Sequence, residues 1–281
     1  MKILYSTRLF SGLESSFTKL IWEPSGVPTI YRIIQEIDSR YDVNFVFSAK
    51  DSGTKIFSIW KEKNDQALSI SGLNNKVKIL AGMDFFPIWF GRKPRILMRE
   101  IRQLYVVIRE CFKCKPDIIY CDHANIFVAA FLSRFQSRVE VVFRVMGVYP
   151  SMKEALVLNK LRHVVYRWAY RSPFSLVICT QDGSGVEPWL KTALSSNVKV
   201  ITMLNGVEKN VQSEIANNHY LTNFPKNRIK ILFVGKLEKY KGCYEFCACN
   251  FKFIKCRKRC TWNYCWCRHR RGRIKERYKK K

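Results

Sequence analysis

Long apolar runs are missing from this sequence: no stretch reaches the roughly 18 apolar residues that a bilayer-spanning helix needs. The opening MKILYSTRLF carries an apolar run too short for a secretory leader and has no small-residue cleavage site. Both absences favour a cytoplasmic chain with reduced thiols. Acidic residues are scarce too, 22 Asp and Glu against 50 Lys and Arg, and the net charge is +28. That balance points to nucleic acid, an anionic membrane surface or phosphorylated ligands as partners. Cysteine is sparse over most of the chain, with Cys111, Cys114, Cys121 and Cys179 alone before residue 243. Cys111 and Cys114 form a CxxC, but it closes a helical stretch rather than opening one after a strand, which argues against a redox role. His163 and His219 have no partner at ligand spacing, and no Ser-His-Asp arrangement emerges.

What is present is enough for packed cores: 47% of the residues are hydrophobic and 14% aromatic. Short β-branched or aromatic runs alternate with longer amphipathic ones. Strands are expected at Ile3 to Tyr5, Val43 to Phe47, Ile118 to Cys121, Val139 to Val145, Leu176 to Thr180 and Val198 to Met203. Helices are expected at Thr29 to Arg40, Pro94 to Cys111, Ile126 to Phe135, Lys153 to Tyr170 and Val186 to Ser195. Strands that read as continuous apolar runs between helices imply a parallel sheet covered on both faces. The expected class is α/β, Rossmann-like. The polar, Pro-containing stretch 217–228 reads as a linker after a domain spanning 1–216, and a fresh strand, Ile229 to Val234, opens a second domain at 229–242.

That strand runs into a turn containing Gly235, Lys236, Leu237, Lys241 and Gly242. In open α/β sheets ligands bind beyond the carboxyl ends of strands, where Gly admits close backbone approach and Lys supplies charge to a phosphate. Two lysines on such a turn suit a diphosphate, although a basic turn that merely solubilises the loop has the same composition.

VGKLEKYKG resembles the hallmark that opens the donor-binding domain of glycosyltransferase family 4, and MLNGVEKN resembles that family's Asn-Gly-Val turn, here Asn205, Gly206 and Val207. EPSGVPTIYRIIQEIDSRYDVNFVF is similar to the family's N-terminal loop and first helix, with Gly26 matching one glycine of the usual pair and Ser25 replacing the other. KPDIIYCDH is similar to the Pro-Asp strand entrance, and FRVMGVYPS to the segment where many members carry His-Gly, with Met146 at the His position. Neither Arg144 nor His123 can be assumed to replace that histidine.

The resemblance implies a GT-B fold and transfer of a sugar from a nucleotide-sugar donor to a polysaccharide or lipid-linked acceptor. It also implies retention of anomeric configuration, without cofactor or metal ion. Gly235, Lys236 and Lys241 would contact the donor diphosphate, while Ser25, Gly26, Asn205 and Gly206 would form the acceptor and donor loops. The Lys at 236, where the family usually has Arg, keeps the charge and gives up a bidentate fork. The family's later donor strands and glutamate pair have no counterpart, so a truncated and inactive transferase is expected.

Residues 243–281 hold 14 of the 50 basic residues and 2 of the 22 acids, a net +12, together with seven cysteines from Cys243 to Cys267. A zinc module fits poorly, because the spacings match no standard knuckle. A basic arm with Trp262, Tyr264 and Trp266 for stacking would bind nucleic acid. A shifted reading frame after about Gly242 explains the composition best: Cys codons read one base on give Val or Ala, and Trp codons give Gly. The transferase is therefore set against a basic nucleic-acid- or membrane-binding protein acting through this tail, with no specific nucleic-acid partner expected under the former. FFPIWFGRKPRILMREIRQLYVVIREC, with Arg92, Lys93, Arg95, Arg99 and Arg102, suits either a basic helix packed on the sheet with its charges solvated or a peripheral contact with anionic lipid at the inner face of a membrane.

Overall fold

The computed structural model describes residues 1–50, 60, 62–82, 91–136, 138–181 and 185–204. They fall in the first of two compact units, Met1–Glu208. Eight strands form one sheet: β1 (Lys2–Arg8), β2 (Asp42–Ser48), β3 (Gln66–Leu68), β4 (Val77–Leu80), β5 (Ile118–Asp122), β6 (Glu140–Val145), β7 (Leu176–Thr180) and β8 (Lys199–Met203). Their order is β3-β4-β2-β1-β5-β6-β7-β8, and every pairing is parallel except β3 with β4. Among the described residues seven α-helices accompany them: α1 (Ser11–Lys19), α2 (Pro28–Arg40), α3 (Arg92–Cys114), α4 (Ile126–Phe135), α5 (Pro150–Val157), α6 (Leu161–Tyr170) and α7 (Val186–Ala193). The α/β, Rossmann-like class expected from the apolar rhythm is the class observed.

The period-2 alternation of strand side chains divides the core into two layers. Leu4, Ile119, Phe143 and Val177 face the side covered by α3 to α7, packing with Val107, Leu132, Tyr170 and Leu190. Tyr5, Phe45, Phe47 and Tyr120 face the opposite side, where Phe17 of α1 and Ile30 and Ile34 of α2 close the layer. The rings there interlock: Tyr5 stacks on Tyr120 with centroids 4.8 Å apart, and Phe47 meets Phe17 at 5.1 Å. Helix α2 starts at Pro28, whose missing N–H and fixed φ suit the first helical position. Its buried positions, Ile30, Tyr31, Ile34 and Asp38, lie at helical spacing. Asp38 is satisfied by the backbone N–H groups of Asn74 and Asn75, 2.7 and 3.0 Å away, which fixes the turn ahead of β4.

Two contacts shape the sheet edge that concerns function. Gln103 of α3, fully buried, donates from Nε2 to the carbonyls of Ala49 and Ala81 at 3.0 and 3.2 Å, tying down the chain where β2 and β4 end. In the first turn of α1, a Cβ on Gly12 would lie 1.9 Å from the Ser25 carbonyl oxygen, so only glycine lets the loop before α2 seat there. Ser25 N–H returns a bond to the Gly12 carbonyl at 2.9 Å.

Where one helix was expected over 153 to 170, two occur. Leu158 turns extended at φ −88°, ψ 145°, and Arg167 of the second helix donates to the carbonyls of Ala155 and Leu158 at 3.2 and 2.8 Å. A side chain thus takes the place of the lost intrahelical donors.

Candidate functional site

Strand order reverses beside β1: β2 and β4 continue on one side, and β5 to β8 on the other. At such a reversal the connecting segments diverge and leave a crevice outside the carboxyl ends of the strands. The residues at those ends are therefore the candidates. Arg8 closes β1, Ser48 closes β2 just ahead of Lys50, Asp122 closes β5 and is followed by His123, and Arg144 stands one residue before the end of β6.

Asp122 and His123 are held between two cations. The Arg8 backbone N–H donates to Asp122 Oδ1 at 3.2 Å. Burial pushes the Asp122 carboxyl above its usual range, against the pull of Arg8 and Lys50. For His123, burial leads and the Arg8 and Lys50 charges add to it, so the imidazole pKa drops to about 4 and the ring is neutral at pH 7. Its Nε2 shares a 2.7 Å hydrogen bond with the Tyr170 hydroxyl, and the rings stack with centroids 5.9 Å apart. Burial raises the Tyr170 phenol, so the pair is uncharged. Lys50 in turn pairs with Glu100 of α3.

On the α1 and α2 side, Arg144 is buried and shares its register position with Asp122 of β5. Its guanidinium donates from one terminal nitrogen to the Tyr120 hydroxyl at 3.1 Å and to the Thr29 carbonyl in the first turn of α2 at 3.4 Å. Burial also raises the Tyr5 and Tyr120 phenols, with Tyr120 next among the causes at Tyr5 and Arg144 opposing the rise at both rings. Both rings stay neutral. The helix N-terminus carries no side-chain cap and no acid in its first turn.

Of the residues expected from the sequence, Ser25 and Gly26 lie in the loop that leads into α2, seated on Gly12, and Gly26 takes φ +93°, open to glycine at little cost. Asn205, Gly206, Gly235, Lys236 and Lys241 lie outside the described residues, as do the 217–228 linker and the tail. Met146 packs half-buried against the aromatic layer. Arg8, Lys50, Asp122 and Tyr170 had not been singled out. The first three carried one usable signal, a charge within three residues of the end of an apolar strand run, whereas Tyr170 had none. The CxxC thiols at the end of α3 are pushed up by burial, Cys111 to about 11, so neither is a thiolate at neutral pH. Among the described residues no cluster of His, Cys, Asp and Glu could hold a metal ion, and no helix is long and apolar enough to cross a membrane.

An open, mostly parallel sheet with helices on both faces and charged residues at the strand ends beside the strand-order reversal defines a Rossmann-like lobe. No protein-family model matches the chain, and no curated protein matches it. Among solved structures it is similar to one from E. coli described as trehalose-6-phosphate bound with UDP-2-fluoro glucose. The TM-score is 0.45 and the identity 8%, over 74% of this chain and 49% of that one. The chain thus spans about half the length of that neighbour, and at this identity no residue role transfers from it.

Proposed function

We propose that residues 1–216 are the acceptor-side lobe of a GT-B glycosyltransferase that uses a nucleotide-sugar donor and retains anomeric configuration. The observation that carries this is the combination of charged residues at the strand ends beside the strand-order reversal with a following sequence that contains Asn-Gly-Val and Gly-Lys…Lys-Gly motifs. Gly235, Lys236 and Lys241 would hold the donor diphosphate, and the loops at Ser25, Gly26, Asn205 and Gly206 would frame the sugars. Residues 243–281 are proposed to come from a shifted frame, which resequencing of the locus and an intact mass would decide.

The +12 tail supports a second reading, a basic protein that holds nucleic acid through its C-terminus. Comparing the full chain with one ending at Gly242 separates the two. If nucleic-acid affinity at physiological salt disappears with the tail and no nucleotide sugar is bound or hydrolysed by either form, the transferase reading fails.

The acceptor is proposed to be presented at the inner face of a membrane. Leu97, Met98, Ile101, Tyr105 and Phe112 are exposed along α3, and they fall within about 100° of arc at 100° per residue. Exposed Lys93, Arg109 and Lys113 lie on the same helix, a composition suited to resting in an anionic interface. Replacing Leu97, Ile101 and Tyr105 together by Glu should cut cosedimentation with phosphatidylglycerol vesicles by about tenfold or more, at about 1 kcal/mol lost per charge brought to the surface. Unchanged cosedimentation would remove the membrane contact.

A further inference from the structure

Arg144 has the wrong surroundings for a structural arginine. It is 6% exposed, yet its hydrogen-bond partners among the described residues, the Tyr120 hydroxyl and the Thr29 carbonyl, are both neutral, and its Nε has none. It joins no ion pair among the described residues. The in-register acid, Asp122, accepts instead from the Arg8 backbone. The neighbouring dipole makes matters worse, because a helix N-terminus is positive and this one carries neither a capping side chain nor an acid in its first turn. A buried cation without a counter-charge is strongly destabilising, unless a ligand supplies the missing anion.

We infer that Arg144 and the N-terminus of α2 form a seat for a phosphate group carried by the acceptor, near the end of β6 on the α1 and α2 side. This rests on the transferase reading above, in which the donor diphosphate is held by Lys236 and Lys241 and a second phosphate must belong to the other substrate. Guanidinium and helix N-terminus are the pair of donors that a phosphate accepts best, a planar fork and converging backbone N–H groups. The tight loop helps to fix the seat: the missing side chain at Gly12 leaves room for the Ser25 carbonyl, and the Ser25 N–H donates to the Gly12 carbonyl at 2.9 Å, three residues before α2 begins. The acceptor class that follows is a sugar phosphate or a phospholipid-linked saccharide rather than a neutral glycan.

The test uses the full chain and three variants, Arg144→Gln, Arg144→Lys and the double change Lys236→Ala with Lys241→Ala. Inorganic phosphate and the nucleoside diphosphates UDP, GDP and ADP are titrated separately, with thermal shift and ligand-observed NMR as readouts. Phosphate should stabilise the wild type and the lysine double variant alike, with affinity at least tenfold weaker in Arg144→Gln and partly kept in Arg144→Lys. Without phosphate, Arg144→Gln should be as stable as the wild type or more so, which a purely structural arginine would not allow. Binding of whichever nucleoside diphosphate the wild type takes should survive Arg144→Gln and fall in the lysine variant. The inference is overturned if Arg144→Gln unfolds the lobe while Arg144→Lys binds phosphate no differently from wild type. It is equally overturned if acetate competes as well as phosphate, or if the phosphate response disappears only with the two lysines. Absence of binding to UDP, GDP and ADP alike, with the phosphate response intact, would instead count against the transferase reading alone.

Discussion

Acidification from pH 7 to pH 5 is expected to remove about 2 kcal/mol of stability through His123 alone. The folded pKa is about 4 and the unfolded one near 6.5, so between those values the unfolded chain binds the extra proton and stability falls as pH falls. The cause is burial first, then the Arg8 and Lys50 charges that face the ring from β1 and from the end of β2. Asp122 works in the opposite sense: burial raises its folded pKa, so protonation relieves the folded state at lower pH. His163, next to Arg162 on α6, shifts downward like His123 and leaves a remainder of the same sign. Urea midpoints at pH 7 and pH 5 check this. Wild type should lose clearly more than His123→Gln, which keeps a polar group opposite the Tyr170 hydroxyl. Parallel losses in the two proteins would show that His123 titrates normally.

Phe47→Ala should cost about 3–5 kcal/mol, the range for a buried aromatic whose site collapses only partly. Phe47 is fully buried and touches Tyr5, Phe17 and Phe45 with centroids 5.9, 5.1 and 6.2 Å away. Phe17 anchors α1, so the cavity opens beneath the helix whose first turn carries Gly12 and the Ser25 loop. A change in the core should therefore also weaken phosphate binding at Arg144. Phe112→Ala, at a ring 59% exposed on α3, is the control and should lie within about 0.5 kcal/mol of wild type. Equal losses from the two substitutions in chemical denaturation would contradict the packing described.

The strands on either side of the strand-order reversal were legible because parallel strands buried on both faces read as unbroken apolar runs, as ILY, FVF and IIYC do. α1 was not: SGLESSFTK is mostly small and polar, and only Leu13 and Phe17, one turn apart, mark its buried side. β3 and β4 were missed for a different reason, being three and four residues long, with Lys78 interrupting the second, so length and alternation both fail. The break at Leu158 depends on Arg167 reaching back to carbonyls of the preceding helix, a tertiary contact that helix propensity does not contain. At the site, Ser25 and Gly26 could be located because small residues before Pro28 announce a βα turn. Arg144 could be placed on a strand but not assigned surroundings, since Tyr120 and Thr29 stand 24 and 115 positions away in the chain. Strand order brings them together, and no local pattern records strand order.

The proposal that this lobe serves a nucleotide-sugar transferase is tested most directly by titrating UDP-, GDP- and ADP-sugars into the purified full chain beside the Lys236→Ala, Lys241→Ala variant. Saturable binding of one of them, competed by its free nucleoside diphosphate and weakened at least tenfold by the two substitutions, is the expected result. A folded chain that binds none of them, or binds them equally well without either lysine, would contradict it.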